Sequence, residues 1–255
     1  MIDIHAHLIF GVDDGPTCIE ESVEMANEAK KAGIDIIIAT PHVQTHIYEA
    51  NQIIENFLNL RPRVACLGIN LYLGYEVFLN PFFTERIDAY TNLTLANSGY
   101  MLVELPYSAS PDSGYEIVLR LRSRDIIPVL AHPERNRNFT KNFDDFLRLI
   151  SLECMVQVDA ASILGIYGSQ PKKFVRKLLE MDLIDFVASG AHCPADYKEW
   201  YLKAYNECAG LAGVEKADKI FRRNALMILE QARKKALEPS YRYLKRRGIY
   251  ERHRL

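Results

Sequence analysis

The chain has 255 residues, of which 49% are hydrophobic and 25% charged, and its formal net charge at pH 7 is −2. This composition is typical of a globular protein with a sizeable core, and it excludes a wholly disordered chain. Because a duplex-binding protein needs a field of Lys and Arg, the near-neutral charge also argues against nucleic acid as a partner.

Short apolar or β-branched segments alternate along the chain with segments of helical length. The first strand is predicted at residues 2–5, and the first helix over 18–32, where Gly33 ends it. Further strands are predicted at 34–39, 70–76, 100–104, 126–131, 155–159 and 184–189, and further helices at 48–60, 112–124, 142–151, 170–181 and 196–210. Parallel neighbouring strands need a crossover and a helix provides one, so this alternation indicates parallel β–α units. We predict one α/β domain over residues 1–255, as a barrel or strongly curved sheet, with an open doubly wound sheet as the alternative.

Histidines and acidic residues cluster at the carboxyl ends of these predicted strands or in the loops that follow them. They are His5, His7, Asp14, His42, Glu76, Glu104, His132 and His192. Taken singly, each has an ordinary explanation, such as a solvated histidine, a turn residue or a carboxylate in a salt bridge. In a parallel barrel, however, all these strand ends open on one face, so the side chains are expected to converge on a metal centre.

The donor atoms of this set restrict the metal and its chemistry. Nitrogen and oxygen donors without thiolate favour Mn, Fe or Zn over an iron–sulfur cluster or a structural zinc. The donors exceed what one ion needs, so two or three divalent ions are expected. Adjacent divalent ions that share carboxylates are the usual apparatus for hydrolysing phosphoesters.

Arg135 is a candidate for binding the phosphate. It follows His132 by three residues, close enough to donate two hydrogen bonds to phosphate oxygens. The alternative is a salt bridge from Arg135 to Glu134 or Asp144.

Seven segments carry a resemblance to a known family. In chain order they are MIDIHAHLIFGVDDGP, IIIATPH, LGYEV, LVELP, LAHPERN, VQVDAASILGIYG and FVASGAH. From residue 1 to about residue 230 the chain resembles the bacterial capsule-type tyrosine phosphatases of the CpsB/CapC family, in the polymerase-and-histidinol-phosphatase (PHP) superfamily. The resemblance implies a distorted (β/α)7 barrel of the PHP type. It also implies a metal-dependent phosphomonoesterase that removes phosphate from the tyrosine-rich tail of a bacterial tyrosine kinase, which controls capsular or extracellular polysaccharide.

The same resemblance implies a role for each candidate residue. His5, His7 and Glu76 would hold a first ion, Glu76, Glu104 and His132 a second, and Asp14, His42 and His192 a third. Arg135 would bind the phosphate. Manganese is the expected metal, with Fe, Zn and Mg as alternatives.

The chain departs from the family pattern in its last motif. The family has Asp-Ala-His, with the Asp a ligand of the first ion, whereas this chain has Gly190. A nearby Arg of the family is also missing and only Lys198 is available, while Asp196 is a candidate to fill the missing ligand position. We expect activity to survive but to be reduced, and we expect Gly190→Asp to raise metal occupancy and turnover. Two alternatives stay open: a small-molecule phosphatase such as a histidinol phosphatase, and a weakened protein that binds phosphotyrosine without turnover.

Residues 240–255 form a basic tail with six Lys or Arg against Glu251. It could dock an acidic partner, an anionic membrane surface or another subunit, or be a solvated helix end. No segment has the roughly 18 consecutive apolar residues of a membrane span, and no basic leader precedes an apolar run. We therefore expect a cytoplasmic protein without a membrane span, whose oligomeric state stays open.

Overall fold

The structure is a computed structural model that describes residues 1–43, 50–80, 85–106 and 111–237. Its strands are β1 (Ile2–Ala6), β2 (Ile36–Ala39), β3 (His42–Val43), β4 (Asn70–Leu73), β5 (Glu76–Phe78), β6 (Tyr100–Glu104), β7 (Ile127–Ala131), β8 (Met155–Asp159) and β9 (Phe186–Ala188). They form a sheet of order β1-β2-β4 and a sheet of order β3-β5-β6-β7-β8-β9. All the pairs between these strands are parallel, as the alternation of strand and helix predicted.

The strand predicted at 34–39 is followed, after a break, by a short strand that was not predicted, and the strand predicted at 70–76 is broken into two pieces. The first break, at Thr40 and Pro41, separates β2 from β3, and the second, at Gly74, separates β4 from β5. The Gly74 amide still donates to the Ala39 carbonyl at 2.7 Å, so the two broken strands stay side by side. A Cβ at Gly74 would lie 2.9 Å from Ile38 Cγ2, so only glycine fits this bend.

The two sheets meet again between β1 and the segment after β9. The His7 amide donates to the Ala191 carbonyl and the Gly190 amide to the His5 carbonyl, both at 2.9 Å. A parallel bridge between Ala6 and Ala191 lies between these bonds. The predicted α/β fold is thus confirmed as a distorted barrel, in which the strand hydrogen bonds are divided between two sheets.

The helices cover the outside of the strands. They are α1 (Ile19–Lys31), α2 (Ala50–Ala65), α3 (Pro111–Arg122), α4 (Arg137–Lys141), α5 (Phe143–Ile150), α6 (Ala160–Leu164), α7 (Ser169–Glu180), α8 (Pro194–Asp196), α9 (Leu202–Ala212), α10 (Val214–Asp218) and α11 (Asn224–Leu237). Helix α2 continues five residues beyond the predicted end, and the helix predicted at 196–210 is divided between α8, a π-helical turn at Tyr197–Tyr201 and α9. Among the described helices, none combines the length and the apolar character that a bilayer crossing requires. The basic tail at 240–255 lies outside the described residues.

Buried side chains form two clusters. The smaller one lies inside the barrel and contains Ile2, Ile4, Ile38, Leu95, Leu102, Val129, Ala131, Phe186, Ala188, Ala225 and Ile228. Because Ala225 and Ile228 belong to α11, this helix closes one end of the barrel. The larger cluster packs the outward faces of the strands against the surrounding helices. The carboxyl ends of the strands lie at the other end of the barrel, together with the histidines and carboxylates that the sequence analysis singled out.

Candidate metal centre

A bulge in β1 places two histidines at the barrel mouth. The register of β1 against β2 shifts between Asp3 and Ala6. An extra residue of this kind reverses the alternation of a strand. Ile4 accordingly packs inside the barrel, whereas Ala6 packs outward. His5 and His7 therefore both line the cavity at the mouth.

All eight candidate ligand residues line one cavity of about 420 Å³. Its lining includes His5, His7, Asp14, His42, Glu76, Glu104, His132 and His192, together with Arg135 and Gly190. They come from β1, β3, β5, β6 and the loops after β1, β7 and β9. The structure thus brings together the eight candidate ligands and Arg135, the candidate for binding the phosphate.

The Glu76 carboxylate is the centre of this cavity and is almost completely buried. Its Oε2 lies 3.2 Å from His5 Nε2, 3.3 Å from His7 Nε2 and 3.0 Å from His42 Nδ1. Its Oε1 lies 3.0 Å from His132 Nε2. One carboxylate therefore touches four imidazoles that are far apart in the sequence.

The other two carboxylates extend the cluster on either side. Asp14 Oδ1 lies 3.1 Å from His192 Nδ1 and 3.6 Å from His42 Nε2. Glu104 Oε1 lies 3.9 Å from His132 Nε2. The donors are therefore spread along the mouth and do not surround a single point.

The spacing of these side chains fits more than one cation. Three groups have ligand atoms within 4.8 Å of one another: His7, Asp14, His42 and His192; His5, His7 and Glu76; and His42, Glu76 and Glu104. Within the described residues, His42 Nδ1, Glu76 Oε2 and His192 Nδ1 are buried without a well-directed hydrogen bond. Buried polar atoms of this kind are costly unless something pairs with them. Divalent cations would pair with these three atoms, so the residues fit the implied metal.

The electrostatics of the cluster point the same way. Burial opposes the ionisation of Glu76, yet the surrounding histidines hold its pKa well below the usual range. Burial also opposes protonation of His7, but its contacts with Asp13 and Glu76 raise the pKa of His7 to about 10. Burial and the charge of His7 lower the pKa of His192 to about 4. Positive charge beside the buried carboxylates thus stabilises their ionised form, and bound cations or a proton on His7 can supply that charge.

Three residues that the sequence analysis did not single out orient these histidines. Asp13 Oδ2 lies 2.8 Å from His7 Nδ1 and accepts the His42 amide at 3.1 Å. Gln157 Oε1 lies 3.0 Å from His5 Nδ1, and Gln157 Nε2 donates to Asp159 at 3.0 Å. Partners of this kind fix which ring nitrogen faces a metal. The sequence signal for Gln157 and Asp159 is two polar residues at the end of the apolar strand β8.

Arg135 lies at the edge of the cavity. Its guanidinium donates to Asp159 Oδ2 at 3.3 Å and lies 4.6 Å from the centre of the Tyr167 ring. Asp159 is therefore a salt-bridge partner that the sequence analysis did not name beside Glu134 and Asp144. The side chain is 30% exposed, so it can still reach a ligand in the cavity.

Position 190 has no side chain, and Asp196 does not replace it. Asp196 Oδ2 accepts the amides of His192 at 2.7 Å and Cys193 at 3.1 Å, so it caps the start of α8. Lys198 is exposed and is not among the residues that line the cavity.

The fold and the site together define the class of protein. It is a parallel α/β barrel in which histidines and carboxylates at the carboxyl ends of the strands form a candidate centre for several metal ions. Residues 1–230 match the model of the family described as capsular polysaccharide synthesis, CpsB/CapC. The chain belongs to this family, and the resemblance found in the sequence is confirmed.

Similar proteins include several tyrosine phosphatases. The putative tyrosine-protein phosphatase CapC of Staphylococcus aureus is 33% identical over 220 residues, which cover 81% of this chain and 86% of that protein. Tyrosine-protein phosphatase YwqE of Bacillus subtilis (strain 168) is 35% identical over 196 residues, covering 75% and 77%.

Solved structures are also similar. One from a study of YwqE of Bacillus subtilis and CpsB of Streptococcus pneumoniae, metal-dependent tyrosine phosphatases, has a TM-score of 0.74 and 29% identity, covering 91% of this chain and 93% of that chain. Histidinol phosphate phosphatase of Lactococcus lactis has a TM-score of 0.56 at 12% identity, covering 85% and 94%, and it shares the fold alone.

Proposed function

We propose that this protein is a metal-dependent protein-tyrosine phosphatase that acts in the cytoplasm. Its proposed substrate is the phosphotyrosine tail of a bacterial tyrosine kinase that regulates capsular or extracellular polysaccharide. The observation that carries the proposal is the buried Glu76 carboxylate, with four imidazoles within 3.3 Å at one mouth of the barrel. The phosphatase names of the relatives support the same activity.

Each candidate residue has a proposed role in this activity. His5, His7 and Glu76 would hold one ion, Glu76, Glu104 and His132 a second, and Asp14, His42 and His192 a third. We propose manganese as the metal. When bound, such ions activate water and neutralise the charge of the phosphate. The guanidinium of Arg135 would donate two hydrogen bonds to the phosphate, on the side of the phosphate away from the metal ions. Asp159 and the ring of Tyr167 hold this guanidinium in place.

A groove beside the cavity favours a polypeptide substrate over a small molecule. This basic groove, of about 770 Å³, is lined by Arg135, Arg137, Lys141 and Tyr167, among others. It shares Arg135 with the metal cavity, so the chain around a phosphotyrosine held there could continue into it. A small substrate such as histidinol phosphate has no part that would need this space.

The charge of the groove indicates which peptides it prefers. Arg137 and Lys141 are exposed, and within the described part of the chain neither forms an ion pair. Their positive charge suits acidic or phosphorylated residues near the phosphotyrosine, since complementary charge favours association.

Reversing these charges tests the groove. For the variant Arg137→Glu/Lys141→Glu, we expect KM for an acidic phosphotyrosine peptide to rise by about 10-fold, because two favourable contacts become repulsive. The hydrolysis of p-nitrophenyl phosphate should not change, because this substrate does not reach the groove. Lys203→Glu, at an exposed position of α9, is the matched control. An unchanged peptide KM would remove the groove from substrate binding.

Phosphate release with and without metal tests the function itself. The purified protein is assayed on a phosphotyrosine peptide, a phosphoserine peptide and histidinol phosphate, with Mn²⁺ supplied and then chelated. We expect release from the phosphotyrosine peptide alone, its loss on chelation and its return with Mn²⁺. Elemental analysis of the same sample gives the number and identity of the ions.

The other two functions predict different results in this assay. Release from histidinol phosphate alone would indicate the small-molecule phosphatase. Binding of the phosphotyrosine peptide without any release would indicate the protein that binds without turnover, the alternative that Gly190 raises.

A further inference from the structure

A carboxylate that the sequence analysis did not name lies beside the candidate centre. Asp159 is the last residue of β8 and its side chain is fully buried. Its Oδ1 accepts a hydrogen bond from Gln157 Nε2 at 3.0 Å, and its Oδ2 accepts one from Arg135 at 3.3 Å. Burying a carboxylate costs free energy unless hydrogen bonds compensate for the lost water. These two contacts compensate for it at Asp159, and they also indicate what Asp159 does.

The first contact fixes the orientation of a predicted metal ligand. Because the amide nitrogen of Gln157 faces Asp159, its amide oxygen faces His5 Nδ1, at 3.0 Å. The ring nitrogen Nδ1 of His5 is then the donor, which leaves a lone pair on Nε2. This is the nitrogen that faces Glu76, at 3.2 Å. Asp159 thus selects, through Gln157, the form of His5 that can bind a cation.

The second contact fixes the proposed phosphate ligand. Arg135 is held between the Asp159 carboxylate and the face of the Tyr167 ring. A guanidinium that is already oriented loses less freedom when it binds a phosphate. One carboxylate therefore orients groups on both the metal side and the phosphate side of the cavity.

Gly190 makes room for this carboxylate. A Cβ at position 190 would lie 3.0 Å from Asp159 Oδ1 and 3.3 Å from its Cγ. The backbone of Gly190 has φ +56°, which a side chain would also disfavour. Asp159 thus occupies the space that a side chain at 190 would enter.

We propose that Asp159 is a positioning residue that orients His5 through Gln157 and Arg135 directly, and that it supplies from β8 the negative charge absent at Gly190. The proposal rests on the metal-dependent function proposed above. It leads us to expect that Gly190→Asp alone lowers metal occupancy, the opposite of the expectation from the sequence, because the new carboxylate would lie against that of Asp159.

A cycle of variants tests the proposal: Asp159→Asn, Gly190→Asp and the double variant Asp159→Asn/Gly190→Asp, each compared with the parent chain. Mn²⁺ affinity is measured by calorimetric titration and bound metal by elemental analysis, with KM for a phosphotyrosine peptide as a further readout. We expect Asp159→Asn to weaken Mn²⁺ binding by roughly 10- to 100-fold, as the loss of a partner of a metal ligand does, and to raise KM. Gly190→Asp alone should also bind Mn²⁺ more weakly, and the double variant should recover much of the loss.

A further variant covers the case in which Asp159→Asn does not fold in chelator. Gln157→Leu cuts the link to His5 and leaves the contact between Asp159 and Arg135, so it should weaken Mn²⁺ binding without raising KM. Circular dichroism of each variant in chelator separates a loss of fold from a loss of metal.

The outcomes separate this proposal from the proposed function. If Asp159→Asn or Gln157→Leu folds and binds Mn²⁺ as tightly as the parent, the proposal is overturned. The proposed function still stands in that case, provided that the parent hydrolyses the peptide. More bound metal in Gly190→Asp than in the parent would overturn it as well. A parent chain that binds Mn²⁺ and hydrolyses nothing would instead count against the phosphatase function, and weaker binding by the variants would still support the role of Asp159.

Discussion

The variant Glu76→Gln is expected to lose bound metal and, with it, on the order of 10³-fold or more of the phosphotyrosine phosphatase activity. The carboxylate of Glu76 is buried and touches His5, His7, His42 and His132 within 3.3 Å. Glutamine keeps the shape of the side chain but removes its charge, so two proposed ions lose the carboxylate that they share. Removing any other single donor would affect fewer of these contacts.

Elemental analysis and the phosphopeptide assay check this expectation on the same preparation. Glu180→Gln is the matched control, because Glu180 is an exposed residue at the end of α7. The control should keep parental metal content and turnover. A Glu76→Gln protein with parental metal content would contradict the assignment of Glu76 as a shared ligand.

Except for β3, the strands and most of the helices could be predicted, because each of these strands lies in a short apolar segment bounded by turn residues. The breaks within two strands could not. Thr40, Pro41 and Gly74 lie inside or beside apolar runs, and only the structure shows that a side chain at position 74 would meet Ile38. Periodicity reports which residues are apolar but not where two strands collide.

Helix α11 was missed because its pattern is weak. Ala225 and Ile228 are buried in the barrel interior, but their neighbours Leu226 and Met227 are both 39% exposed. Apolar residues therefore surround the helix and do not mark one face. The role of α11 in closing the barrel depends on contacts with strands that lie far away in the sequence.

The candidate site, like the fold, could be predicted only in part from the sequence. The eight ligand candidates could be found because imidazoles and carboxylates at strand ends are chemically conspicuous, and a parallel barrel brings such ends together. Asp13 and Asp159 are also carboxylates at or just after strand ends, so this pattern does not distinguish a ligand from a residue that orients one, and Gln157 is not a residue of ligand type. Their roles depend on a hydrogen bond to a particular ring nitrogen or on the space that Gly190 leaves beside Asp159, and a single sequence displays neither contact.

The buried carboxylate of Asp3 leads to the largest expected effect on stability. Its Oδ1 accepts the amides of Ser189 at 3.0 Å and His5 at 3.2 Å, and its Oδ2 accepts the hydroxyls of Ser189 and Tyr197. These bonds hold the bulge of β1 against the end of β9 and the π-helical turn that follows α8. Asp3→Ala would leave the two amides and the Tyr197 hydroxyl without this acceptor, whereas the Ser189 hydroxyl could still donate to the His5 carbonyl at 3.2 Å. We expect the free energy of unfolding to fall by about 3–5 kcal/mol.

Urea denaturation in the presence of chelator measures this loss without a contribution from metal. Asp144→Ala, an exposed position in the first turn of α5, is the matched control and should change the free energy of unfolding by less than about 1 kcal/mol. If Asp3→Ala unfolds at the same urea concentration as the control, the junction of β1 with the end of β9 does not limit the stability of the barrel. A large loss would mean instead that the contact which positions His5 also joins the two sheets, so that the geometry of the site and the closure of the barrel depend on the same carboxylate.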